Sequence, residues 1–175
     1  ANTLAGRDLF PSISEIDIFI NSSNPSWYYG TDAAPPSNQF DFVSVALHEL
    51  GHGLGFLGGM TVSDGLGNYN NGIFVYDQFT EDGVNQRLLN STVYPNPSAQ
   101  LANALTGGNI FFDSPPSNVA NGGRVPLNAP ATWAQGSSYA HLSDTYNGSA
   151  NDLMTQSINP GLAIHDPEIG RASCR

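Results

Sequence analysis

Apolar and polar residues alternate over 13–23 (ISEIDIFINSS). Ile16, Ile18 and Ile20 fall on one side and Asp17 and Phe19 on the other, which is the two-residue period of a strand. A loop rich in turn residues follows, NPSWYYGTDAAPPSN. The period then changes. Val43, Ala46, Leu47, Leu50 and Leu54 recur at helical steps, and Asp41 stands where an N-cap belongs, so a helix is predicted from Phe42 with that apolar stripe buried. Gly51, Gly53 and Gly55 fall along it. Each glycine costs about 1 kcal/mol relative to alanine in a helix interior, so packing or a metal must compensate. Gly55 suits an exit through a left-handed turn.

The pattern is less regular over 60–140. IFVYDQF and NQRLL flank TEDGV, and the tight-turn signal Asp82-Gly83 predicts a hairpin. NPSAQLANALTGG reads as a short helix with Asn96 as cap, Pro97 in first position and Gly107 as stop. GGNIFFDS and GGRVPLN form a second expected hairpin, with SPPSNVANGG as its loop. The chain closes on HDPEIGRASCR, which opens like a helix on Asp166, Pro167 and Glu168 and has no C-cap signal, so a longer natural chain is expected. No repeat or low-complexity run marks a boundary. One α+β domain spanning 1–175 is the expectation.

Composition narrows the function. Hydrophobic residues make up 39% of the 175, enough for a packed core. All five basic residues are Arg, and the absence of Lys excludes Schiff-base catalysis on lysine. The net charge of −10 disfavours nucleic acid and anionic membrane surfaces as partners. No apolar run is long enough to span a bilayer, so membrane insertion is not expected. A Lys-poor, Asn-, Gly- and Ser-rich chain fits a secreted protein, in which Asn21, Asn90 and Asn147 match the N-glycosylation pattern. The lone Cys174 has no partner in the chain, and reads as an incidental thiol or one paired outside it.

The chemistry concentrates in ALHELGHGLGFLGGM (46–60). His48 and His52 lie four apart, one helical turn, so both imidazoles point the same way, with Glu49 beside the first. His-Glu-x-x-His on a helix supplies two zinc ligands and a carboxylate that reaches the activated water. A catalytic zinc takes three protein ligands. For the third, His141 and His165 are the remaining histidines, and Glu81 in DQFTED is a carboxylate candidate beside a turn. Asp64, Asp77, Glu81 and Asp82 are the oxygen donors a Ca2+ site would need, although no loop pattern supports one.

The stretch resembles the metzincin clan of zinc peptidases, whose signature His-Glu-x-x-His-x-x-Gly-x-x-His is matched by His48, Glu49, His52 and Gly55. Residue 58 is Gly. The chain is most similar to the leishmanolysin branch, in which a long insertion separates the helix glycine from the third histidine and a methionine turn follows. His141 with Leu153-Met154 occupies those places across 56–140. The resemblance implies a metzincin-like catalytic domain. Residues 1–55 would form an upper part with a twisted sheet and the active helix, and 141–175 an irregular lower part. It also implies one Zn2+ on His48, His52 and His141, Glu49 as general base, and an extended protein or peptide substrate along a sheet edge. Met154 is expected to pack beneath the site, thioether being a soft ligand ill-suited to zinc. Tyr139 and Tyr146 are the nearby phenols that could assist an oxyanion. Two other functions stay open: a binding or adhesion module with a structural zinc, and a zinc hydrolase of a different amide.

Overall fold

The structure is a computed structural model that describes residues 11–14 and 16–166. The predicted helix opening at Asp166-Pro167-Glu168 runs beyond these residues, and Cys174 lies outside them. Among the described residues the architecture is α+β: three α-helices with short strands in three small sheets. Strands β1 (Trp27–Tyr28) and β2 (Phe40–Asp41) pair in parallel and lead into helix α1 (Phe42–Gly53). β3 (Thr61–Ser63) and β4 (Leu66–Asn68) form a hairpin. β5 (Thr80–Asp82), β6 (Ile110–Phe112) and β7 (Val125–Pro126) form an antiparallel sheet in that order. Helix α2 (Ala99–Leu105) packs on β4, and α3 (Pro115–Asn121) joins β6 to β7.

The strand expected over 13–23 does not form. Alternation provides a face but no partner, and no ladder reaches this segment. Ile16 instead packs against Gly53, where an added Cβ would stand 2.7 Å from its Cγ2, and Phe19 is almost wholly exposed. Among the described residues, the strands ahead of α1 are thus limited to the two-residue pair β1–β2. Trp27 meets Phe40 and Phe42 edge-on at 6.2 and 5.8 Å between ring centroids and closes that edge.

Helix α1 begins as the sequence predicts. The Asp41 carboxylate accepts from the Ser44 backbone N–H at 2.7 Å. Its expected apolar stripe is buried only in part: Leu47 packs against the core and Val43 and Ala46 are half-buried, whereas Leu50 is 37% and Leu54 64% exposed, and Ser44 is the fully buried residue. Two of its glycines are also closely packed. Gly51 lies on the Met154 thioether, and Gly53 lies on Ile16. In an isolated helix Gly51→Ala would gain about 1 kcal/mol. Here the new methyl would meet Met154 Sδ at 2.6 Å, and Met154 is fully buried. Overpacking of this kind costs about 1–3 kcal/mol. Gly51→Ala should therefore lower the melting temperature followed by circular dichroism, and an unchanged or raised value would refute the contact.

Most of the core comes from 56–140, the stretch read as an insertion. Phe56, Met60, Tyr76, Leu88, Leu101, Leu105, Ile110, Phe112, Val125 and Leu127 pack together, joined by Tyr139, Leu142, Leu153 and Met154. The first expected hairpin is only partly present. The turn forms, with Asp82 accepting from Val84 and Gln86 N–H, but β5 pairs chiefly with β6. Residues 76–79 coil into a 3-10 turn instead of a strand, because the Asp77 carboxylate gathers the Phe74 and Gly59 N–H groups. The second hairpin forms as β6–β7, with α3 where a loop was expected. The cap of α2 is Ser98, whose hydroxyl accepts from Leu101 N–H, since Asn96 is engaged by Tyr69 N–H.

Three phenols in this core remain protonated unusually high. Burial, then the Asp82 carboxylate, pushes Tyr94 up to about 12. Burial and the Asp77 charge hold Tyr76 and Tyr139 well above the ordinary tyrosine value. A folded pKa raised above the unfolded one gives stability that is complete below about pH 10 and lost as pH rises through the folded value. Alkaline titration at 295 nm should show these rings ionising only as the fold opens. Smooth titration of all seven tyrosines near pH 10 would contradict their burial.

Candidate metal centre

The α1 backbone places His48 and His52 one turn apart, ring centroids 4.7 Å from each other. His141 arrives from 93 residues along the chain. It is not on a free loop. Leu142 bridges both Leu127 and Thr155, its N–H donates to Met154 O at 2.8 Å, and Asn128 N–H donates to His141 O at 2.8 Å. The three Nε2 atoms then converge: 3.1 Å between His48 and His52, 3.3 Å between His52 and His141, and 3.4 Å between His48 and His141.

Each ring is fixed from behind. His48 Nδ1–H donates to Leu153 O at 2.6 Å, His52 Nδ1–H to Phe56 O at 2.8 Å, and His141 Nδ1–H to Ser137 O at 2.9 Å. A neutral imidazole that donates from Nδ1 has a bare lone pair on Nε2. Three such lone pairs facing one another repel unless a cation lies between them. Ligands about 2.0–2.1 Å from one ion in tetrahedral geometry stand about 3.3–3.4 Å apart, close to the separations found here. Burial holds His48 below the usual histidine range. Burial, then the neighbouring His52 and His48, brings His141 down to about 4. His48 and His141 are therefore neutral and competent to bind near neutral pH. These three histidines can hold a metal ion.

Each backing carbonyl has a local cause. Helix α1 ends in a Schellman turn: Phe56 N–H donates to Gly51 O and Gly55 N–H to His52 O, with Gly55 at φ +118°. That turn carries the Phe56 carbonyl back to the His52 ring. Leu153 sits in a 3-10 turn over 152–154, locked by the buried Asp152, which accepts from Gly148 N–H and the Thr155 hydroxyl. The same turn seats Met154 under Gly51 as packing.

Glu49 is exposed on α1. It lines a cleft of about 350 Å³ with His48, Trp27, Phe40, Val45 and Ile158. A second cleft of about 290 Å³ opens on the side of His52 and His141, walled by Leu57, Met60 and Trp133. The metal position thus lies between two open, largely apolar recesses.

Other sequence candidates go elsewhere. Glu81 is buried and paired with Arg124 at 2.7 Å and Arg87 at 3.6 Å, which removes it as a metal ligand. Asp77 and Asp82 are saturated by N–H and O–H donors. Asp64 lies in the β3–β4 turn with φ +51°. Among the described residues the acids form no cluster a Ca2+ ion would need. Tyr139 points its hydroxyl into Asp77 at 2.7 Å, and Tyr146 donates to Asn121, so neither phenol faces the metal position. His165 donates from Nε2 to Asp41 Oδ2 at 2.8 Å, clamping the 158–165 segment onto the start of α1. Sequence reasoning missed that clamp and the three backing carbonyls; backbone oxygens leave no trace in residue identity.

No curated protein and no solved structure matches the chain. The profile of the SPBPB7E8-like family matches residues 7–114, a stretch that includes His48, Glu49 and His52 and ends before His141. That match spans more than half of the 175 residues, and the chain belongs to the SPBPB7E8-like family.

Proposed function

We propose that the chain is a zinc-dependent endopeptidase, acting outside the cell on extended protein or peptide substrates. The observation that carries this reading is the convergence of the three Nε2 atoms, with Glu49 one residue from His48 on the wall of an open cleft. Zinc is favoured by a set of three imidazole nitrogens with room left for one more ligand. When bound, it supplies Lewis-acid polarisation of a carbonyl and a lowered pKa for its water.

The chain's own groups do the rest. The carbonyls of Leu153, Phe56 and Ser137 hold the imidazoles in the binding tautomer. Glu49, one residue from His48 on the cleft wall, is the proposed base that takes a proton from the attacking water and passes it to the leaving amine nitrogen. The apolar recesses on either side accept side chains flanking the scissile bond. The resemblance of His48-Glu49-x-x-His52-x-x-Gly55, His141 and Met154 to metzincins of the leishmanolysin branch supports a peptide bond as substrate.

Unfolded casein offers many extended sites. Purified protein should cleave it, lose that activity to a chelator and regain it on adding Zn2+. Zinc-loaded protein that leaves casein and a mixed peptide library intact would overturn the peptidase reading.

A further inference from the structure

The three carbonyls behind the histidines are not equally secured. Phe56 is fixed by the Schellman turn and Leu153 by the Asp152 turn. Ser137 lies in a turn over 134–138 that contains Gly136 at φ +80°. That turn is tied down by side chains. Asn128 Nδ2 donates to Ser137 O at 3.3 Å, to Ser137 Oγ at 3.1 Å and to Gln156 Oε1 at 3.3 Å. Gln156 Oε1 also accepts from the Ser137 hydroxyl, and its Nε2 donates to both Asp144 oxygens at 3.1 and 3.3 Å. Asn128 is buried, and its backbone brackets the same loop: its N–H donates to His141 O, and its carbonyl accepts from Tyr139 N–H at 2.7 Å.

We infer that Asn128 is a positioning residue for the third metal ligand: together with Gln156 it aims the Ser137 carbonyl, and that carbonyl aims the His141 ring. The chemistry of the position requires an amide. The atoms facing Asn128 Nδ2 are a carbonyl oxygen, an amide oxygen and a hydroxyl already committed as a donor, so only an N–H group satisfies them. A carboxylate of the same shape would repel two of the three. The group one hydrogen bond removed from His141 is the Ser137 carbonyl; losing such a group typically weakens metal binding about 10–100-fold, the range expected when Asn128 no longer aims that carbonyl. The inference needs only the three-histidine metal site and stands whether or not the protein is a peptidase.

Zn2+ affinity of the full chain, measured by competition with a chromogenic chelator, is the test. Melting temperatures of the metal-free proteins are recorded alongside. Asn128→Asp should bind Zn2+ about 10–100-fold more weakly. His165→Asn removes the clamp on Asp41, which shares none of the hydrogen bonds that hold Ser137, and should leave Zn2+ affinity within twofold although it lowers the melting temperature. Should Asn128→Asp fail to fold, Gln156→Glu decides. It sets a second carboxylate against Asp144 and should weaken Zn2+, and adding Asp144→Asn should restore binding, because the new amide donates to the new carboxylate. Three outcomes overturn the inference: Zn2+ affinity within twofold of the parent in Asn128→Asp, equal weakening in His165→Asn, or no rescue by Asp144→Asn.

Discussion

His141→Ala should abolish metal binding and, with it, the proposed hydrolysis, the largest single-residue effect expected in this protein. Two imidazoles on one helix turn remain after the change, but they grip an ion from one side only. The third nitrogen, 3.3–3.4 Å from the other two, is what closes the site. Binding to the folded chain and not to the unfolded one stabilises the fold by about 4 kcal/mol at a thousandfold excess over Kd. The parent protein should therefore melt at a lower temperature when a chelator is added. The His141→Ala protein should melt at one temperature with or without it. His165→Ala is the contrast. It loses a bond to Asp41 and some stability, keeps the metal, and still responds to chelator. Reversal of the two behaviours would place the third ligand elsewhere.

What could be seen in the sequence was local. Asp41 announced the helix because a capping side chain acts three residues away, on the Ser44 N–H. His48, Glu49 and His52 announced a metal site because a helical turn converts a spacing of four into one face. Gly55 announced the exit because its φ of +118° is open to glycine and costly to other residues. The joining of His141 to that helix had no such signal and came from resemblance. Its physical basis is the backbone bridging of Leu142 to Leu127 and Thr155, and pairing of this kind depends on which strand is near, not on which residues it carries.

The failures follow the same logic. Over 13–23 the alternation is regular, but alternation specifies two faces and says nothing of a neighbour. Without one, Ile16 settles on a helix glycine. Helix α3 was hidden for the opposite reason. It has a good start, Ser114 capping Ser117 N–H with Pro115 in first position, and a left-handed Gly122 at its end. Yet its one large aliphatic residue, Val119, is 86% exposed, and a helix with no apolar face has no period to detect. The apolar stripe of α1 held only in part: Leu47 meets the core, but Leu50 and Leu54 stay exposed while Gly51 and Gly53 make close contacts, and a glycine adds nothing to hydrophobic periodicity.

Glu49→Gln should leave the metal in place and remove the reaction. Glu49 is exposed on the cleft wall beside His48 and is not one of the three converging ligands, so an amide of nearly the same shape disturbs neither the helix nor the imidazoles. What changes is proton transfer. An amide cannot accept a proton from water at neutral pH, nor deliver one to a departing amine. Loss of general acid–base action costs about 10²–10⁴-fold in rate, and with KM nearly unchanged the loss should fall on kcat. Zinc content by atomic absorption, chelator-dependent melting and kcat on one casein-derived peptide, all from a single preparation, separate the two contributions. Full zinc with kcat reduced by that factor fits a general base. Full zinc with undiminished kcat removes Glu49 from the mechanism. Lost zinc would mean that the carboxylate secures the metal, and the division of labour between His48 and Glu49 argued from their spacing would be wrong.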